Sequence, residues 1–133
     1  MNLYRTLQKD RTAQYIVGTN PTSPLLLDSG TAGGWTTLSV VSYVPTATAS
    51  MIFVGLVVAG DDPVYVAVAP NTSYSTSKLP GGSAPPLNLG TTGSASSISG
   101  AISTWMMLES TNIYWVSADS GGGVFCFGWQ DNL

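Results

Sequence analysis

The chain has 133 residues, a length that predicts one domain with a core of its own. Charged residues make up only 8% of it, and the net charge of −3 is spread without runs, which argues against nucleic acid as a partner. Hydrophobic residues make up 44%, which excludes the composition of a disordered chain. A surface with so few charges invites association, so we expect other subunits to cover part of it.

Residues 1–12 differ from the rest because they hold three of the four basic residues. We predict that they form an N-terminal arm, with a frayed terminus as the alternative. An arm would contact a partner subunit through apolar and basic side chains. Those side chains are Leu3, Tyr4, Arg5, Leu7, Lys9 and Arg11.

Neither a secretory signal nor a membrane span is apparent from the sequence. The first residues show no apolar segment of the kind that a secretory signal carries. The most apolar run, at 51–59, is far shorter than the ~20 residues that cross a bilayer. We therefore expect synthesis in the cytoplasm and no membrane partner.

The body of the chain, residues 13–133, reads as one domain of short strands separated by turn residues. The strand candidates are 13–17, 23–27, 35–44, 51–58, 64–69, a polar strand or extended edge at 72–77, 87–89, 98–108, 113–118 and 124–130. A short helix is the second choice for 98–108, and 28–34 is expected to be a loop. The Pro-, Gly- and Ser-rich stretch 79–97 is predicted to be a long surface loop around the short strand at 87–89.

The last two predicted strands, 113–118 and 124–130, are expected to form a hairpin around a Gly-rich turn. Phe125, Phe127 and Trp129 alternate with smaller residues, which predicts one aromatic face that a partner sheet covers. Across the chain we expect six residues to be largely buried, namely Val40, Ile52, Val54, Val66, Trp115 and Phe127. The pattern as a whole predicts an all-β fold, a jelly-roll-like β-sandwich of eight or nine short strands.

Residues suited to catalysis or metal binding are scarce. The chain has no histidine, which removes the commonest general base and metal ligand. The single cysteine, Cys126, is predicted to be a buried small hydrophobe rather than a reactive thiol. Asp61 and Asp62 are interpreted as a turn, with a cation site as the alternative. We predict no catalytic, cofactor-binding or metal-binding residue and no enzyme activity.

The four tryptophans could serve the core or a binding surface. All of them fall within strand patterns, so we predict core packing for each, with stacking on sugar rings as the alternative. They are Trp35, Trp105, Trp115 and Trp129.

A resemblance rests on the end of the chain. The stretch Ile113-Tyr114-Trp115-Val116, a Gly-rich turn and then Val124-Phe125-Cys126-Phe127-Gly128-Trp129-Gln130-Asp131-Asn132-Leu133 resembles the endings of small β-rich virion proteins of tailed bacteriophages. Residues 38–49 are similar in character. The resemblance implies a capsid decoration (cement) protein or a small tail or fibre component, often a trimer, and it carries over no catalytic residue.

We therefore expect a non-enzymatic structural protein of the virion, without a cofactor. As a decoration protein it would bind the major capsid protein or other virion subunits and stabilise the shell, and we expect a homo-oligomer, with three copies favoured. The alternative is a tail-fibre or receptor-binding module that recognises surface glycan. A free carbohydrate-binding domain is a third possibility.

Overall fold

A computed structural model describes residues 25–60, 65–76, 83–90 and 98–131. In these ranges the chain forms eight strands and no helix. The strands are β1 (Leu25–Ser29), β2 (Ala32–Ser39), β3 (Ala49–Gly60), β4 (Tyr65–Ala69), β5 (Leu87–Gly90), β6 (Ile98–Met107), β7 (Asn112–Ser117) and β8 (Gly123–Asp131). The predicted all-β fold is confirmed. The predicted arm at 1–12, the strand at 13–17 and the turn at Asp61 and Asp62 lie outside the described residues.

The strands form two antiparallel sheets of four, as predicted for a β-sandwich. Sheet A has the order β1-β8-β3-β6, and sheet B has the order β2-β7-β4-β5. The pairing is nested along the chain. The first strand pairs with the eighth, the second with the seventh, the third with the sixth and the fourth with the fifth.

The core lies between the inner faces of the two sheets. On β3 the side chains of Ile52, Val54 and Leu56 are fully buried, because alternate residues of a strand point to the same face. Facing them from sheet B are Val66 on β4 and Trp115 on β7, both in the same core cluster. Five of the six predicted core residues are thus confirmed, since Val40 also belongs to this cluster. Phe127 differs from these five, because its side chain is of intermediate burial and does not belong to this core cluster.

The predicted terminal hairpin does not form. β7 lies between β2 and β4 in sheet B, whereas β8 lies between β1 and β3 in sheet A. The residues between them therefore form an arch that crosses from one sheet to the other. A hairpin and an arch share the same turn residues and the same alternation, so the sequence pattern did not separate them.

Local hydrogen bonds hold this arch. Asp119 Oδ1 accepts the backbone N–H of Gly121 at 2.6 Å, and the Ser117 hydroxyl donates to the Asp119 carbonyl at 2.8 Å. The Ala59 N–H donates to the carbonyl of Gly121, which ties the arch to the end of β3. A Cβ at position 121 would collide with the Ala59 carbonyl oxygen, so this close approach requires glycine.

Two predicted boundaries near the start of the described chain are wrong. The loop predicted at 28–34 is only a tight turn between β1 and β2, where Gly30 adopts a φ of 103° that favours glycine. The strand predicted at 35–44 ends at Ser39. After it the chain turns back on itself, and the carbonyl of Val40 accepts the N–H groups of Tyr43 and Val44 at 2.9 Å.

Two further predictions concern the middle of the chain. The predicted polar strand or extended edge at 72–77 does not form within the described residues: 72–74 are a turn and bend, because Asn71 Oδ1 accepts the Ser73 N–H at 2.9 Å, and 75 and 76 belong to no strand. The stretch 98–108, for which we predict a strand with a short helix as the second choice, forms the strand β6. Its pairing with β3 continues without a register shift through Gly100, so that glycine does not break the strand.

Candidate interaction surface

The outer face of sheet A is apolar and rich in aromatic side chains. It consists of the residues that alternate with the core residues on β1, β8, β3 and β6. We call this surface the aromatic face and define it by the side chains of Leu26, Met51, Phe53, Val57, Trp105, Met107, Phe125 and Phe127. Several of these side chains are well exposed: 63% for Met107, 48% for Leu26 and 37% for Trp105.

Phe53 lies at the centre of this surface. Its ring stacks on the ring of Trp105, its partner on β6, with centroids 5.0 Å apart and an interplanar angle of 18°. On its other side lies Phe127 of β8, with centroids 5.2 Å apart and an angle of 40°. Both distances are in the range in which aromatic pairs attract beyond their area burial. The three rings thus form a continuous band across three adjacent strands.

A β-bulge on β8 places Phe127 in this band. Phe53 pairs with Gly128 and the next residue, Val54, pairs with Cys126, so that Phe127 is an extra residue on β8. Because Gly128 has no side chain, the position opposite Phe53 leaves room for neighbouring rings.

The bulge also reverses the alternation along β8. Before it, Phe125 lies on the aromatic face, and after it, Trp129 pairs with Ile52 and packs against the core. The prediction that Phe125, Phe127 and Trp129 share one face is therefore wrong. An inserted residue reverses the alternation for every residue after it, and the sequence sign of this bulge is Gly128, a glycine inside the strand.

Beside the band the surface forms a shallow depression of about 130 Å³, lined in part by Gly55, Val57, Phe125 and Phe127. Gly55 is required here, because a Cβ at this position would collide with the ring of Phe127. The group that approaches this glycine is the aromatic side chain of Phe127 rather than another backbone.

The aromatic face carries no charge among the side chains that the structure describes. Its polar groups are few, and they include Ser99 and Ser103 on β6 and Gln130 on β8. All four basic residues of the chain lie outside the described ranges. A partner for this surface therefore has to be recognised by apolar contact and shape, since charge pairing is not offered here.

The outer face of sheet B differs, because the chain itself covers part of it. Tyr65, Ala67 and Val116 form a small buried cluster against which Trp35 packs. The indole N–H of Trp35 donates to the Tyr74 carbonyl at 2.9 Å, which fixes the turn after β4 over this sheet. Burial raises the pKa of the Tyr65 hydroxyl. Among the described residues, the outer face of sheet A is thus the more exposed of the two.

The four tryptophans, all of which we predict to pack in the core, lie in different places. Trp115 is 1% exposed and lies in the main core, and Trp129 packs against that core, as predicted. Trp35 packs in the smaller cluster on sheet B. Trp105 contradicts the prediction, since it lies on the aromatic face. In the sequence Trp105 and Met107 alternate with Met106, so they lie on the opposite side of the strand from Met106, which the structure buries.

The other predicted site features are placed as follows. Cys126 is 4% exposed in the core, and burial raises the pKa of its thiol, so the prediction of a buried cysteine is confirmed. Within the described ranges there is no group of three or more acidic or cysteine side chains that could hold a metal ion. The six arm residues predicted to contact a partner all lie outside the described part of the chain.

No family model matches the chain, and no curated protein matches it. A search of the described residues for a helix long and apolar enough to cross a membrane found none.

Proposed function

We propose that this chain is a non-enzymatic structural subunit of a tailed-bacteriophage particle, a capsid decoration (cement) protein of the virion. In this role it acts through subunit contacts and stabilises the assembled shell. The aromatic face carries the proposal, because a sheet face that exposes Trp105, Met107 and Leu26 among uncharged described side chains is a surface for contact with another subunit, either a sister copy or the capsid protein.

The order of the strands supports the same proposal. Two four-stranded sheets with nested pairing are what a jelly roll requires, and jelly rolls are common in viral capsid proteins and in lectins. Fold alone does not assign function. It does agree with the resemblance of residues 113–133 to small virion proteins of tailed phages.

The mechanism is thermodynamic. A protein that binds the assembled shell and not the separated capsid subunits shifts the equilibrium towards the shell by mass action. When several copies are joined, the binding of one copy raises the effective concentration of the others at the shell, so the overall affinity exceeds that of a single weak contact. No reactive group is needed for this effect.

Co-sedimentation tests the proposal directly. Purified protein is mixed with capsids of the source phage that lack it, and the pellet and the capsid disassembly temperature are measured. We expect saturable binding and a higher disassembly temperature, whereas fully decorated capsids, as the control, should take up no further protein. Protein that stays in the supernatant at saturating concentration, with an unchanged disassembly temperature, contradicts the proposal.

A second candidate is a fibre or receptor-binding module that recognises glycan, and the exposure of Trp105 favours it. An aromatic ring on a flat sheet face can stack on a sugar ring. Against this, few polar side chains surround Trp105 to bind sugar hydroxyls. Binding to a glycan array that is lost in Trp105→Ala but kept in Trp35→Phe supports the second candidate. The same result supports a free carbohydrate-binding domain. If the intact protein binds no glycan, both of these proposals are contradicted.

A further inference from the structure

We propose that the aromatic face binds the aromatic face of a second copy of this chain, so that two sandwiches pack face to face about a two-fold axis. This inference does not depend on a role in the virion. It assigns a specific surface to self-association, and it would hold equally for a protein that acts elsewhere.

The chemistry of the face is compatible with a copy of itself and unfavourable to a charged partner. The described side chains on it are uncharged, so the face repels no copy of itself and offers no charge pattern to a charged partner. A nucleic acid, an acidic peptide or a basic peptide needs ionic contacts that this surface does not supply. An apolar sheet face is complementary to another apolar sheet face.

The geometry is that of a sandwich interior. Sheets pack face to face about 10 Å apart, with their side chains interdigitated, and the Phe53, Trp105 and Phe127 band supplies side chains of the size that such a layer contains. Beside the band, the depression at Gly55 offers space for a side chain of the opposite copy. The outer face of sheet A would then become a second core layer.

The size of the face reaches the lower limit for a specific dimer. Its three long strands, β8, β3 and β6, have 9, 12 and 10 residues. With about 3.3 Å per residue and about 4.8 Å between strands, the face covers on the order of 500 Å². Two copies then bury about 1,000 Å² in total, which is where specific protein interfaces begin.

Two-fold symmetry follows from the use of a single patch. When one surface meets the same surface on another copy, the contact closes after two subunits. A closed trimer, which the resemblance to phage proteins implies, needs two different patches on each subunit. The structure therefore predicts dimers where the resemblance predicts trimers.

The test is the mass of the full chain in solution by analytical ultracentrifugation and light scattering. Two variants place an acidic group on the aromatic face at exposed positions, Met107→Asp and Ser103→Glu. The matched control is Val41→Asp, since Val41 is also an exposed apolar residue, at 53%, but lies in the turn after β2. Far-UV circular dichroism confirms that each variant is folded, and the two face variants are independent of each other.

We expect the intact protein to be a dimer at tens of micromolar. Each face variant should weaken the dimer by about 100-fold or more, because a like charge then faces its own copy across the axis. Val41→Asp should leave it unchanged. High salt should not dissociate the dimer, since no ion pair holds it.

Acrylamide quenching of Trp105 gives a second readout, taken as the difference between the intact protein and Trp105→Phe. We expect this residue to be less accessible in the dimer than in the monomeric Ser103→Glu variant. A monomer at high concentration, a trimer, or a dimer that survives both face variants overturns the proposal. So does a dimer that salt dissociates.

Discussion

The indole N–H of Trp115 on β7 donates to Oδ2 of Asp28 on β1 at 3.1 Å, and this bond joins sheet B to sheet A. Trp115 is the largest fully buried side chain of the core. The indole nitrogen is its only polar atom, and the carboxylate oxygen that accepts its proton lies on β1, the edge strand of the opposite sheet. This buried donor is therefore paired.

This bond gives a stability prediction. Asp28→Ala should destabilise the fold by about 1–2 kcal/mol, because it leaves a buried donor without an acceptor. Asp28→Asn keeps an acceptor oxygen and should lose less. Chemical denaturation measures both. The effect of Asp28→Ala should shrink in a Trp115→Phe background, and equal effects in the two backgrounds would show that the bond contributes nothing.

The contact between Gly55 and Phe127 gives a second prediction. Gly55→Ala places a methyl group against the Phe127 ring and should cost about 1–3 kcal/mol through overpacking. In a Phe127→Ala background the same substitution should cost little, because the obstacle is gone. The free energies of unfolding of the four proteins form a double-mutant cycle, and additive losses in that cycle refute the contact.

The same cycle corrects the expectation for Phe127. A phenylalanine in the core costs about 3–5 kcal/mol when it is cut to alanine. Since Phe127 lies half-buried on the outer face, we expect a smaller loss, about 1–2 kcal/mol, for the monomer. Ile52→Ala, at a fully buried position on the neighbouring strand, is the comparison and should cost more.

The buried ionisable groups predict loss of stability in alkaline solution. Burial raises the pKa of the Cys126 thiol and of the Tyr65 hydroxyl. Both groups are buried in their neutral form. Their contribution to the free energy of unfolding is fully present below the ordinary pKa values, about 8.5 for a thiol and about 10 for tyrosine. As the pH rises above those values, the unfolded chain loses these protons before the folded chain does, so the free energy of unfolding decreases. The decrease continues until the pH reaches the raised pKa values of the folded state.

Cys126 also provides a direct chemical readout. A thiol reagent should react very slowly with the native protein at neutral pH and rapidly in denaturant, because the sulfur is buried and mostly protonated. Cys126→Ala should abolish the reaction altogether and serves as the control. Rapid modification of the native protein would place the sulfur at the surface and contradict its position in the core.

The predicted arm gives a test that concerns residues outside the described ranges. Deletion of residues 1–12 should leave the melting temperature of the isolated protein within a few degrees and reduce its occupancy on capsids. Arg5 and Arg11 together should matter more than either alone, because arginine pairs with carboxylates through two hydrogen bonds. Binding should weaken with salt. If the shortened protein occupies capsids as fully as the intact protein does, the prediction that the arm contacts another subunit is contradicted.

The sequence predicts where the strands lie better than how they pair. Runs of β-branched and aromatic residues located β3, β4, β7 and β8 to within a few residues. The pairing of those strands depends on backbone hydrogen bonds and on topology, which leave no mark on a single strand. The arch at Asp119 therefore has the composition of a hairpin turn while it joins two sheets.

The exposure of the aromatic face was not predicted, for a related reason. The alternation of Phe53 and Phe127 with core residues shows that they lie opposite the core, but not whether something covers them. An apolar residue on an outer face and one on an inner face have the same chemistry. Sheet B packs against one face of sheet A. The rings of Phe53 and Phe127 lie on the other face, and this packing is what makes that face the outer one.

The pairing of β1 with β8 joins Leu25 to Cys126, about 100 residues apart in the sequence, and it sets the order in which the protein can fold. β8 lies between β1 and β3, so sheet A stays open until Gly123–Asp131 has left the ribosome. Folding of the sandwich is therefore a step that follows translation of its last strand. A nascent chain that stops before β8 keeps an unpaired edge on both β1 and β3, and each edge is a site where another unfinished chain can add a strand.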